Sequence, residues 1–222
     1  MKALCVSDMI DPLVYSDSIK QRFADIDVVF SAGDLPLEYL EFIVSSLNKP
    51  LFFIFGNHNL NQFYYYKNSV FEKFSTTAAK RNIPGMGTVY AGGRVIREGN
   101  MLIAGLGGSM RYNSGGNQYS NFEMNIRILG LLPRLLFNRI RYGRALDVLL
   151  THAPPYGIHD GKDLCHRGFR AFIWFMKVFK PKYLIHGHIH LYDLAEKRKT
   201  VYHKTMVVNA YSHFVIDIEV KL

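Results

Sequence analysis

Five short apolar runs in this chain end in side chains that bind metal ions or move protons. Leu4-Cys5-Val6-Ser7 runs into Asp8, and Val28-Val29-Phe30 leads through Ser31-Ala32-Gly33 to Asp34. Leu51 to Phe55 ends at Gly56-Asn57-His58, and Asp147 to Leu150 ends at Thr151-His152. Tyr183-Leu184-Ile185 ends at His186-Gly187-His188-Ile189-His190. Singly, each is ordinary: Gly-Asp after a strand is usually a turn, and a lone His is usually a hydrogen-bonded loop residue. The ordered set carries more. Carboxylate, amide oxygen and imidazole together suit Mn, Fe or Zn. In open α/β sheets, ligands gather at the carboxyl ends of strands. Residues distant in sequence are therefore expected to converge.

The elements that would position them alternate. Lys2 to Ser7 reads as a strand, Ile19 to Phe23 as a short helix and Val28 to Phe30 as a second strand. Leu40, Ile43, Val44 and Leu47 recur at helical spacing within Glu38 to Leu47, and Leu51 to Phe55 is a third strand. This β-α-β-α-β start predicts a parallel sheet. Asn61 to Arg81 is aromatic and gives no clear element. Val89 to Ala104 reads as a hairpin, with Gly92-Gly93 and Gly99-Asn100 as turns and Gly105 to Gly108 as a flexible turn beyond it. Glu123 to Ile140 reads as largely helical, interrupted or bent at Pro133. Asp147 to Leu150 and Tyr183 to Ile185 are strands around a helix over Gly168 to Phe179. Strands near Thr205 to Val208 and Val215 to Val220 close the chain.

At 222 residues, with 49% hydrophobic and 20% charged side chains, the chain is expected to fold as one domain over 1–222 with a sizeable core. The formal net charge of +9 favours polyanionic partners such as nucleotides, nucleic acid or anionic lipid. No nucleic-acid-binding motif accompanies it. Cys5 and Cys165 belong to no C-x-x-C pair, so a disulfide framework is not expected. No apolar run reaches membrane-spanning length and no signal peptide is evident, so a cytoplasmic protein is expected.

The series Asp8, Gly33-Asp34, Gly56-Asn57-His58, Thr151-His152 and Gly187-His188-Ile189-His190 resembles the calcineurin-like metallophosphoesterase superfamily, over residues 3 to about 212. The resemblance implies an α/β fold of two β-sheets packed face to face and flanked by helices, a four-layer α-β-β-α sandwich. It implies that Asp34 bridges two divalent ions, with Asp8 and His190 on the first and Asn57, His152 and His188 on the second. His58 would lie over the phosphate, stabilising charge or protonating the leaving group. The implied reaction is hydrolysis of a phosphomonoester or phosphodiester by a water or hydroxide bridging the metals. Manganese is the first expectation, with Fe, Zn, Co or Ni as alternatives. Arg111 and His166 are weaker candidates for substrate contacts. His159, His203 and His213 have no such context and read as structural or surface residues.

Two positions depart from the family pattern. Ile10 stands where that pattern has a metal-binding His, and Asn59 where it has Asp or Glu after Gly-Asn-His. Asp11 is then a candidate substitute ligand for the first metal, against its plainer role as a turn carboxylate before Pro12. The departures also keep open a non-catalytic relative that binds metal or phosphate, and the charge keeps open a nucleic-acid-binding protein or nuclease. Leu131, Leu132, Leu135, Leu136 and Ile140 alternate with Arg134, Arg139, Arg141 and Arg144, so that helix either packs on the core or meets a membrane, the active site or a second copy.

The Ile10 reading predicts unequal metal sites, the second filling first. Ile10→His adds an imidazole and is expected to tighten the weaker site in calorimetric titrations. Two equally tight sites in the wild type, unchanged by Ile10→His, would contradict this.

Overall fold

The computed structural model of the protein describes residues 1–68, 87–193 and 196–219. In chain order, the first elements are β1 (Lys2–Ser7), α1 (Ile19–Arg22), β2 (Val28–Ser31), α2 (Leu37–Leu47), β3 (Leu51–Phe53) and α3 (Phe63–Asn68). Next come β4 (Thr88–Tyr90), β5 (Val95–Glu98), β6 (Met101–Leu106), β7 (Ser109–Met110), β8 (Gln118–Tyr119) and α4 (Asn121–Tyr142). The last are β9 (Val148–Thr151), α5 (Arg170–Phe179), β10 (Tyr183–His186), β11 (Lys199–Tyr202), β12 (Thr205–Asn209) and β13 (Ser212–Asp217).

Two mixed sheets result. The first has the order β13-β1-β2-β3-β4, parallel except for β13. The second has the order β11-β12-β10-β9-β6-β5, parallel in the middle with antiparallel strands at both edges. β7 and β8 form a separate small parallel pair.

The central strands β1, β2, β3, β6, β9 and β10 read as apolar runs because both of their faces are covered. Alternate side chains serve different cores. Phe52 and Ile54 point between the sheets, where they meet Ile103, Leu150, Ile185 and Val208. Leu51, Phe53 and Phe55 point outward onto Leu37, Leu40 and Ile43 of α2. In the second sheet Leu102, Ala104 and Leu149 face outward onto Met124, Ile128 and Leu135 of α4 and Phe172 and Phe175 of α5. Three cores separate four layers, as the family resemblance implies.

The parallel start and the strands leading to His152 and His188 appear as the sequence predicts. The middle differs. β4 adds to the first sheet beside β3, whereas β5 and β6 form a hairpin in the second. Gly92-Gly93 therefore lies on the crossover between sheets, and Gly99-Asn100 is the hairpin turn. Gly105 and Leu106 belong to β6 rather than to a flexible turn. β11 escapes a sequence reading because it is a short edge strand of mixed Lys-Thr-Val-Tyr composition with none of its residues buried. Much of the aromatic Asn61 to Arg81 stretch, and Val220 of the expected last strand, lie outside the described residues.

α4 runs through Pro133. A capping box starts it: Ser120 Oγ accepts from Glu123 N, and the Glu123 carboxylate accepts from Ser120 N at 2.7 Å. It ends at Gly143, whose left-handed backbone has φ 70°. Leu131 and Leu135 are buried, but Leu136 and Ile140 are exposed, so the apolar set that reads as one face in the sequence divides between two. Among the described residues, no helix is long and apolar enough to cross a membrane.

Candidate metal centre

The loops after β1, β2, β3, β9 and β10 meet at one edge, tied across the sheets. Asp8 N donates to Gly33 O at 3.1 Å, and Gly187 N donates to His152 O at 3.0 Å. The His188 backbone N–H, from the second sheet, donates to both Asp8 carboxylate oxygens at 3.0 and 2.9 Å. The turns are sharp. Asp8, Asp34 and His188 have φ of 66°, 59° and 67°, a left-handed conformation costing about 1–2 kcal/mol per residue. Strain of this kind persists where surrounding structure enforces it, typically at functional sites.

Asp34, His152 and His188 each present a ligand atom within 4.8 Å of the other two. His152 Nε2 lies 3.1 Å from Asn57 Oδ1 and 3.2 Å from Asp34 Oδ2. Backbone carbonyls orient both rings. His152 Nδ1–H donates to Ala32 O at 2.8 Å, so Nε2 is the nitrogen facing the acidic pocket. His188 Nε2–H donates to Cys165 O at 2.8 Å, which leaves Nδ1 as its free donor atom. A histidine whose second nitrogen is held by a carbonyl is the usual arrangement of a metal ligand. Asn57 Nδ2 donates to Tyr112 OH at 3.2 Å, so its Oδ1 turns to the pocket.

The electrostatics agree. Burial opposes charge on the Asp34 carboxyl, but the His152 ring and the hydrogen bonds outweigh it and hold the carboxyl down at about 2. Burial likewise opposes charge on His152, and the Asp34 and Asp8 carboxylates overcome it and raise the ring to about 9. Burial and the His152 charge keep His188 neutral, at about 3. Burial pushes Asp8 up, and the His152 charge offsets only part of that.

The remaining sequence candidates sit differently. Asp8 adjoins the pocket but does not belong to the convergent trio. His190 is exposed, its ring stacked on Tyr211 at 4.8 Å between centroids. Ile10 is 44% exposed. His58 is exposed, with its backbone N–H on Asp34 Oδ1 at 2.8 Å. The Asp11 carboxylate accepts from Leu13 N at 2.8 Å, from Ser212 Oγ and from His213 Nδ1 at 2.6 Å. Arg111 pairs with Glu123 at 2.7 Å and so braces the first turn of α4. His166 bonds Asp163 at 2.8 Å, with its ring 5.5 Å from that of His188. Asp163, Cys165 and His166 form the second convergent donor group among the described residues, largely exposed.

Several residues that the strand-end pattern assigns no role hold the loops of the site in place. Asn117 Nδ2 donates to the Phe55 and Gly56 carbonyls at 3.1 and 2.6 Å, which holds the Asn57 loop. Behind His188, Thr200 Oγ1 donates to His159 Nε2 at 2.9 Å, and His159 Nδ1 donates to His186 Nε2 at 3.0 Å. His186 Nδ1 in turn donates to Gly187 O at 2.9 Å.

The family profile for calcineurin-like phosphoesterases matches residues 1–192, so the chain belongs to that family. One solved structure, 14% identical, aligns over 99% of this chain and 97% of its own at a TM-score of 0.63. The TT1561 structure from Thermus thermophilus, 13% identical, aligns over 95% and 89% at a TM-score of 0.59. Both share the fold. No curated protein gives a significant match. Family membership points to phosphoester hydrolysis dependent on divalent metal ions. The donor set fits such an ion: a low-pKa carboxylate, an amide oxygen and two carbonyl-braced imidazoles.

The raised pKa of His152 makes binding of an ion beside it pH-dependent. In the metal-free protein, the raised His152 pKa contributes stability that is fully present below pH 6.5 and lost as pH rises through about 9. A metal needs the neutral ring, so its affinity rises over the same interval. The thermal stabilisation conferred by added Mn is therefore expected to grow between pH 6.5 and pH 9. A stabilisation that stays flat or shrinks across that range would contradict this assignment of His152.

Proposed function

We propose that this protein is a catalytic metallophosphoesterase that hydrolyses a phosphomonoester or phosphodiester with water. The convergence of Asp34, His152 and His188, with Asn57 Oδ1 3.1 Å from His152 Nε2, supports this reading most strongly. Asp34 would be shared between two divalent ions. Asn57, His152 and His188 would hold one, and Asp8 and His190 the other, with Mn first and Fe, Zn, Co or Ni as alternatives. When bound, such ions supply Lewis acidity toward phosphoryl oxygens and lower the pKa of water.

The chain's own groups then have separate tasks. The Ala32 and Cys165 carbonyls hold the two imidazoles in the tautomers that coordination needs. Tyr112 orients the Asn57 amide. The exposed His58 side chain follows directly on Asn57 and is tethered to Asp34 through its backbone. The His58 side chain would give a proton to the ester oxygen as the P–O bond breaks, while the water oxygen bonds to phosphorus and the proton that water sheds passes to solvent and, in turn, back to the ring. Asn59, in place of a carboxylate that would orient His58, instead donates through Nδ2 to Asp34 O at 2.9 Å. The +9 net charge favours anionic substrates, nucleotides and nucleic acid among them.

A second reading, a one-metal binding protein without catalysis, draws on Asp8 and His190 standing outside the convergent trio and on Ile10 offering no donor atom. Two variants separate the readings. Asp34→Asn is expected to lose bound metal and turnover together. His58→Ala is expected to keep its metal while turnover falls on the order of 10²-fold or more. Metal analysis beside a p-nitrophenyl phosphate ester assay reads both quantities. Unchanged turnover in His58→Ala would remove its acid role, and metal retained with normal turnover in Asp34→Asn would remove the metal assignment.

A further inference from the structure

α4 is apolar on two opposite faces. Met124, Ile128, Leu131 and Leu135 enter the core under the second sheet. On the far side, Phe122, Ile126, Leu129, Leu136 and Ile140 form a second line exposed to solvent, from 51% at Ile126 to 88% at Ile140. Their spacing of four, three, seven and four residues keeps them on one stripe for five turns. Trp174 of α5 extends the stripe sideways, across a shallow groove it shares with Leu129 and Arg170. Monomeric soluble proteins rarely expose a contiguous apolar strip of this length without using it.

The charges around the strip have one sign. Glu123 is the only acid in α4, and it is engaged by Arg111 and by the helix cap. α5 contains no acid. Arg134, Arg139 and Arg141 of α4 and Lys177 of α5 take part in no ion pair among the described residues. A second copy docked on this strip would bring the same unpaired cations against them. An anionic lipid surface complements them. Exposed Phe, Leu, Ile and Trp flanked by Arg and Lys are the composition of a helix lying in the headgroup region. Since no described helix is suited to cross a bilayer, such binding would be peripheral.

We infer that the outer face of α4 and α5 is a membrane-docking surface, with an anionic bilayer as its occupant. The inference stands apart from the metal centre and from any catalytic reading of it. The full chain is to be floated with vesicles of phosphatidylcholine alone and of phosphatidylcholine mixed with phosphatidylglycerol, at low and high salt. Binding is expected only to the anionic vesicles and is expected to weaken with salt. Arg134→Glu combined with Arg139→Glu is expected to reduce binding on the order of tenfold or more. Ile126→Glu combined with Ile140→Glu is expected to abolish it, with the thermal melt unchanged because both side chains already face solvent. Absence of binding to anionic vesicles, or binding unaffected by either double variant, would overturn the inference. A concentration-dependent dimer that Ile126→Glu with Ile140→Glu dissolves, in a protein that ignores vesicles, would assign the face to a second copy and overturn it equally.

Discussion

His152 joins the two sheets at the edge where the donors meet: its Nδ1–H reaches Ala32 O of the first sheet at 2.8 Å, while its Nε2 faces Asn57 Oδ1 at 3.1 Å and Asp34 Oδ2 at 3.2 Å. The ring follows directly on β9 of the second sheet, so this contact, with that of His188 N to Asp8, ties the strand ends of the two sheets together. It leaves no spare space. A Cβ on Gly56 would sit 2.1 Å from Asp34 Oδ1 and 2.5 Å from His152 Cε1. A Cβ on Gly187 would sit 2.5 Å from Asp8 Oδ2. These glycines are absences of side chain that the site requires, because carboxylate and imidazole already fill the space.

A site built this closely needs a stiff support, and the three cores supply it. Phe30 and Phe52 stack at 6.0 Å between the sheets beneath the loops, and the strands ending in Asp8, Asp34, Asn57, His152 and His188 are buried on both faces. Packed interiors transmit strain rather than absorb it. The left-handed backbone at Asp8, Asp34 and His188 is therefore held by the sandwich. The electrostatic arrangement depends on the same packing. Burial opposes charge on Asp34, and the adjacent His152 ring together with the hydrogen bonds outweighs it. The Asp34 and Asp8 carboxylates in turn raise the His152 ring to about 9, so Asp34 and His152 hold each other in their charged forms.

The donors are legible in the sequence because parallel strands announce themselves twice, as apolar runs and as the polar residues that end them. Asp8, Asp34, Asn57, His152 and His188 all stand out that way, and the structure brings their loops to one edge. What supports them is not legible. Asn117, Tyr112 and the His159–His186 pair act through contacts 27 to 62 residues apart, and no local pattern marks such partners. Arg111 reads in the sequence as a weaker candidate for a substrate contact, and in the structure it pairs with Glu123, 12 residues on, at a helix cap. The middle of the chain misleads because two Gly-Gly or Gly-Asn turns in succession look like one meander, whereas β4 and β5 belong to different sheets. In α4, leucines one residue apart read as one face, yet Leu135 is in the core and Leu136 in solvent.

The claim that this edge is a hydrolytic metal centre meets its most direct test in one turnover measurement on the wild-type protein. Hydrolysis of bis-p-nitrophenyl phosphate and of p-nitrophenyl phosphate is followed after chelation and again after returning Mn, Fe, Co, Ni or Zn. The account predicts that chelation stops release of p-nitrophenol from at least one ester and that at least one of these ions, Mn foremost, restores it. A protein that takes up these ions to full occupancy and still hydrolyses neither ester would contradict it.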